Sequence, residues 1–370
     1  MWLFPKRLNF HAEKAFILIV FLAILSFPFR ISAQQKNLRF EHLSINDGLS
    51  QNNVICILQD SRGFMWMGTR NGLNKYNGYE FEVYKNDAKN ENSISNNFIS
   101  AIIEDAKGTV WIATRGGGLN KYDRDRNQFV NYKTDKKNLN TLSSNILTSL
   151  AEDSMGNLWI GTEDGGLNYF EPAENRFLHY SHDINKENSL SDDYVRTVFI
   201  DRQQNIWVGT FGGGLNLYDK KTESFIKYRH ENKNNLSLSD DRVCAIYEDS
   251  RHSLWVGTNG GGLNLFDRSR GTFRSFKHIV GRNNIHSADV IFALAEDNKK
   301  NLWVGTENEG LSIFDYSDST FYNYRHDDLD NTSLGNNSVH SLYKDIVGNI
   351  WAGTFSAGVD IAKSNTRFEH

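Results

Sequence analysis

The sequence predicts an all-β chain, a seven-bladed β-propeller of four-stranded antiparallel blades. Three observations predict it. Tryptophan recurs at Trp66, Trp111, Trp159, Trp207, Trp255, Trp303 and Trp351, spaced 45 residues apart once and then 48 residues five times, the period of a repeat architecture. Each period holds four short β-type runs divided by turn chemistry, with no helical pattern between them. The composition, with 29 Gly, only 3 Pro and 13% aromatic residues, suits many short strands joined by tight turns rather than disorder. Four antiparallel strands per copy and seven copies give a closed ring of ordinary blade number.

The fifth copy shows the elements in order. An aliphatic-led first strand, Val243-Cys244-Ala245-Ile246, runs into a hairpin turn. In most copies that turn is Asp-x-x-Gly, as at Asp60–Gly63, Asp105–Gly108, Asp153–Gly156 and Asp345–Gly348, where the fourth residue takes positive φ. Copies four to six place Gln204, His252 and Lys300 there, at some cost in strain. The second strand is Leu254-Trp255-Val256-Gly257-Thr258. A glycine cluster turns the chain into the third strand, Leu263-Asn264-Leu265-Phe266, and Phe273 to Phe276 makes the fourth. The tryptophans, each behind an aliphatic residue or Met, read as rings packed between blades rather than sugar platforms. Asn52, Asn97, Asn145, Asp193, Asp241, Asp289 and Asn337, two residues before each first-strand aliphatic, read as caps on turn backbone. One such group per blade is a poor cation site, so no metal is expected. The recurrent Gly-Gly-Gly-Leu-Asn segment lies between strands without a following helix or a Lys-Ser/Thr pair. It is no phosphate cradle, and no cofactor is expected.

Arg39-Phe40-Glu41-His42 recurs as Arg367-Phe368-Glu369-His370, so eight fourth-strand segments compete for seven blades. The N-terminal copy is expected to complete the last blade, because exchanging chain ends protects the sheet edges. The first 33 residues differ from the rest. Lys6, Arg7 and Lys14 precede an apolar run from Ala15 to Leu25, and Ser32-Ala33 follows. That is the layout of a secretory signal peptide, the alternative being an uncleaved anchor over 15–29. Residues 34–38 read as a linker and 39–370 as the propeller, with a periplasmic location. Cys56 and Cys244 sit on first strands of distant copies, in adjacent columns of the repeat. They are expected to point to opposite faces and stay unbridged.

A net charge of −4 without a Lys/Arg block leaves nucleic acid without support as a partner. Function is sought in the columns that vary within the constant frame. Directly after the Gly/Ala-Thr pair stand Arg70, Arg115, Glu163, Phe211, Asn259, Glu307 and Phe355. One residue before the first-strand aliphatic stand Asn53, Phe98, Ile146, Tyr194, Arg242, Val290 and Ser338. One residue after it stand Ile55, Ser100, Thr148, Arg196, Cys244, Phe292 and His340. The first two columns emerge on one face and should ring a mouth of the central channel. Arg70, Arg115, Glu163, Tyr194, Phe211, Arg242, Asn259, Glu307 and Phe355 are therefore the candidate ligand residues, suited to a polar ligand with apolar faces such as an oligosaccharide. Free variation of surface loops accounts for the same pattern. No Ser/His/Asp set recurs, and the paired carboxylates at 104–105, 152–153, 248–249 and 296–297 all sit at one turn. No catalytic residue is assigned.

The stretch from Leu43 through Asn46-Asp47-Gly48-Leu49-Ser50-Gln51-Asn52 to Trp66-Met67-Gly68-Thr69 resembles the opening of the two-component regulator propeller family. Asp153 to Thr162 and Gly165-Gly166-Leu167-Asn168 resemble its repeat, and the likeness spans 39–366. It implies the periplasmic sensor region of a hybrid two-component histidine kinase, of the kind that senses glycan breakdown products. Relatives usually continue into a second propeller, a β-sandwich, a membrane helix and kinase modules, none of which is evident here. The expectation is thus a ligand-sensing propeller, itself no enzyme, from a truncated sensor, or else a stand-alone secreted propeller binding carbohydrate or protein. Membrane contact would come through missing domains or an uncleaved signal anchor.

Overall fold

The computed structural model describes residues 38–276, 289–317 and 319–364. Residues 1–33, expected from the sequence to be a signal peptide, and the C-terminal Arg-Phe-Glu-His copy lie outside them. The described residues form seven four-stranded antiparallel sheets. Their innermost strands are Val54–Gln59, Ile99–Glu104, Leu147–Glu152, Val195–Ile200, Val243–Glu248, Ile291–Glu296 and Val339–Lys344. Six sheets use four consecutive strands. The seventh is completed by Phe40–Leu43, which pairs with Val359–Ala362 in the register Phe40 to Ala362 and Leu43 to Val359. The N-terminal copy therefore closes the ring, as the chain-end argument expects. One short 3-10 turn, Ile45–Asp47, follows that strand under a Ser44 cap.

Each of the seven repeat tryptophans packs on the blade that follows its own. Trp159 lies among Val195, Val198, Ile206 and Val208 of the fourth blade, and Trp351 lies on Val54, Ile57 and Met67 of the first. Their exposures run from 0% to 7%, so an indole seals every described gap between blades. Burial of so large a ring is worth several kcal/mol at about 25 cal/mol per Å². The indole N–H needs a partner there, and the turn aspartate supplies it. Trp66 Nε1 donates to Asp60 Oδ2 at 2.9 Å, and the same bond recurs in all seven blades. The other oxygen of Asp60 accepts from the backbone of Arg62 and Phe64. One carboxylate thus shapes the hairpin and fixes the ring. Gln204, His252 and Lys300 adopt φ of 63°, 65° and 65° at the last turn position, the left-handed strain anticipated where glycine is missing.

Neighbouring blades add side chains to these aspartates. Arg124 reaches Asp60 at 2.8 Å, Arg268 reaches Asp201 at 2.7 Å, and the Tyr316 hydroxyl reaches Asp249 at 2.6 Å. Burial pushes the Asp60 pKa up, but the Trp66 indole and the Arg124 guanidinium outweigh it and hold the group below its ordinary value. The Asn/Asp column caps turns as expected, with Asn97, Asn145 and Asp193 accepting from backbone N–H groups eleven residues earlier. The seam has its own lock. Where other blades bury Asn168, Asn216 or Asn264, the seventh buries Asp360 at 0% exposure, and His42 Nδ1 of the closing strand meets its carboxylate at 2.6 Å.

Candidate ligand site in the central channel

The inner strands are not regular. Every one shifts register against the second strand at its second residue, and that residue is Ile55, Ser100, Thr148, Arg196, Cys244, Phe292 or His340. A bulge leaves its extra residue out of the ladder and re-aims its side chain. Six of these seven line one cavity of about 470 Å³ in the centre of the ring. The third variable column therefore supplies most of the channel wall.

Above it lies the rim built by the other two columns. They are tied together by backbone bonds in six of the blades, as in Arg115 N to Phe98 O, Glu163 N to Ile146 O, Phe211 N to Tyr194 O and Phe355 N to Ser338 O, at 2.9 to 3.0 Å. Both columns thus emerge on one face, as antiparallel topology requires. Of the nine candidate residues, Arg70, Arg115, Glu307 and Phe355 line the cavity. The other five stand outside that lining. Glu163 accepts a hydrogen bond from Arg115. Tyr194 and Phe211 pack on one another, their ring centres 5.2 Å apart. Arg242 folds back onto Asp240 in a two-pronged bond of 2.9 and 2.7 Å, and the Asn259 backbone bonds to Arg242 O at 2.8 Å. The ring of candidates is thus uneven, with its open side formed by blades six, seven, one and two.

Phe98, Ser100, Arg196, Phe292 and His340 also line the cavity and were not among the nine. The signal that could have found the last four was present, since their column varies as much as the other two. Strict alternation hides it, because a residue beside an inward aliphatic should face the other way; the bulge cancels that rule. The same bulge places Cys244 at the extra position and Cys56 one residue past it, where its sulfur lies against Gly68. Both cysteines are free, and burial pushes the Cys56 thiol up to about 12.

The open side has a definite electrostatic character. The Arg70 guanidinium lies 5.6 Å from the Phe98 ring centre and 5.9 Å from that of Phe355, and Arg115 lies 5.5 Å from Phe98. His340 stands edge-on between Phe292 at 5.0 Å and Phe355 at 5.5 Å. Burial, then the charges of Arg196 and Arg70, push the His340 pKa down to about 4. The imidazole is therefore neutral at physiological pH. Ser100 Oγ is buried in this wall without a hydrogen-bond partner among the described residues.

Seven stretches, 48–71, 93–116, 141–164, 189–212, 237–260, 286–308 and 333–356, match the two component regulator propeller family. One falls on each blade. The chain belongs to that family. This regulator propeller is similar to the extracellular domain of a protein described as a hybrid two component system from B. thetaiotaomicron. The two are 27% identical with a TM-score of 0.76, over 88% of this chain and 42% of that one. A 78-residue stretch is 45% identical to Histidine kinase P4 of Formosa agariphila, covering 21% of this chain and 5% of that protein. The regulator propeller thus spans less than half of either relative. Virginiamycin B lyase from Staphylococcus aureus, at 12% identity and a TM-score of 0.65 over 88% of this chain and 99% of that one, shares the fold alone.

Proposed function

We propose that this regulator propeller is the extracytoplasmic ligand-sensing part of a larger two-component sensor, and that it takes an oligosaccharide at the mouth of its central channel. The observation that carries the reading is the channel wall. In a frame otherwise repeated seven times, Phe98, Phe292 and Phe355 offer apolar ring faces beside arginine donors around a cavity of about 470 Å³. That volume falls within the usual range for small-ligand sites. Sugars present C–H faces that pack on aromatic rings and hydroxyls that accept hydrogen bonds, so the pairing fits their chemistry. The similarity to an extracellular domain of a hybrid two-component system supports the placement outside the cytoplasm. Signal output would come from parts of such a sensor beyond this propeller.

The test is calorimetric titration of the purified chain with a panel of oligosaccharides, repeated with Phe355→Ala. Phe355 is 46% exposed, so truncating it leaves the core intact. Binding that weakens in the variant supports the reading. Absence of binding across the panel, or equal affinity of both proteins for every sugar, argues against it.

A further inference from the structure

We infer that the channel is built for a sugar bearing an acid group, with Arg70 and Arg196 as the pair that recognises the carboxylate or sulfate. This rests on the oligosaccharide reading above and narrows it. The three arginines of the cavity are not equivalent. Arg115 is neutralised by Glu163. Neither Arg70 nor Arg196 meets a carboxylate among the described residues, and Glu307 is the one acidic side chain in the cavity lining. Arg70 comes from the rim of blade one and Arg196 from the bulge of blade four, yet both charges bear on His340 of blade seven. Both side chains line the one central cavity together with His340, Arg70 at its exposed rim and Arg196 on its wall.

Arg70 is held in place by its position over Phe98 and Phe355. A guanidinium lying on ring faces keeps its N–H edge free to donate. An acid group there would accept charge-assisted bonds from two blades at once. The neutral His340 adds no further charge, and the buried Ser100 hydroxyl offers one more polar atom in the same wall. Phe355, open at the rim, supplies a face for the sugar ring carrying that group. A neutral sugar would leave both guanidinium groups of this cavity without a counter-charge.

Four tetrasaccharides of equal length test this by calorimetry: tetragalacturonate for carboxylate alone, a carrageenan tetrasaccharide for sulfate alone, and maltotetraose and cellotetraose as neutral references. Sodium sulfate serves as the free-anion control. An acidic tetrasaccharide should bind at least about tenfold more tightly than either neutral one, as expected for hydrogen bonds to charged groups. Arg196→Gln and Arg70→Gln should each erase most of that margin. Arg70 is exposed, so its variant tests the idea even if the Arg196 variant folds poorly. The preferred acidic probe then tells carboxylate from sulfate.

Neutral and acidic sugars binding equally, with loss only in Phe355→Ala, would overturn the acid-group inference and leave the oligosaccharide reading standing. Failure of all four sugars would sink both. Sodium sulfate binding as tightly as the acidic sugars would make this a free-anion site and overturn the inference.

Discussion

The two faces of this ring use one repeat in opposite ways. On the turn face, seven aspartates do one job seven times, each receiving a tryptophan N–H six residues later. On the mouth face and along the bore, equivalent positions hold Arg, Glu, Phe, Tyr, His and Cys, and no two blades contribute the same pair. The difference follows from what each position touches. The turn side chain meets its own blade and the next, which are nearly the same everywhere, so one solution serves all seven. In six of the blades the bulge side chain meets the channel, which those blades share. Sameness marks packing here, and difference marks the candidate site.

The largest break in that comparison should come from Trp255→Ala. Its ring is buried against the sixth blade, and removal should cost about 3–5 kcal/mol in urea unfolding. Phe355→Ala should change stability by less than about 0.5 kcal/mol while weakening sugar binding. Equal losses from both substitutions would erase the distinction between frame and mouth.

Acid should come next. His340 carries a folded pKa near 4 against an unfolded value of 6.5. Between those values the unfolded chain binds a proton that the folded chain refuses. Stability should therefore fall as pH drops from about 6.5 to 4, by about 2 kcal/mol once partial exposure is allowed for. His340→Gln should flatten that part of the curve, and a curve unchanged by the substitution would remove His340 as its cause.

A smaller effect should follow from Gly209→Ala in the second strand. An added Cβ would lie 2.5 Å from Val243 Cγ1 and 2.7 Å from Thr197 Cγ2, and the overpacking should cost about 1–2 kcal/mol. Blade two already carries Ala113 at this place, opposite the smaller Ala101. Thr197→Ala should therefore recover part of the loss in a double-mutant cycle.

The smallest and most local effect belongs to the seam. The Asp360 hydrogen bond, together with its charge, raises the His42 pKa against the opposing effect of burial. Its contribution is complete below pH 6.5 and is lost as pH rises through the raised value. Amide protection in 40–43, corrected for the intrinsic rise of exchange with pH, should fall over that interval while protection in other outer strands does not. Uniform exchange across the seven blades would show that the pair does not hold the seam.

The blades were legible because a four-strand unit with fixed turn residues can be read from local pattern. The closing strand was legible too. Phe40 repeats the outer-strand motif, and its place beside Ala362 satisfies a strand count made from the sequence alone. The mouth was legible in part. Arg70, Arg115, Glu307 and Phe355 reach the cavity, whereas Tyr194 and Phe211 pack on one another and Arg242 folds onto Asp240.

The sequence by itself determined the number of blades, the strands within each, the turn chemistry and the columns free to vary. Local composition suffices for those, because they depend on contacts within one period. The tertiary structure decided which varying column faces the axis, through a bulge that depends on cross-strand register. It also decided that Arg115 is neutralised by Glu163 while Arg70 and Arg196 line one cavity with His340. Such facts depend on bringing blades one, four and seven together around one bore, and a linear period carries no measure of distance across a ring.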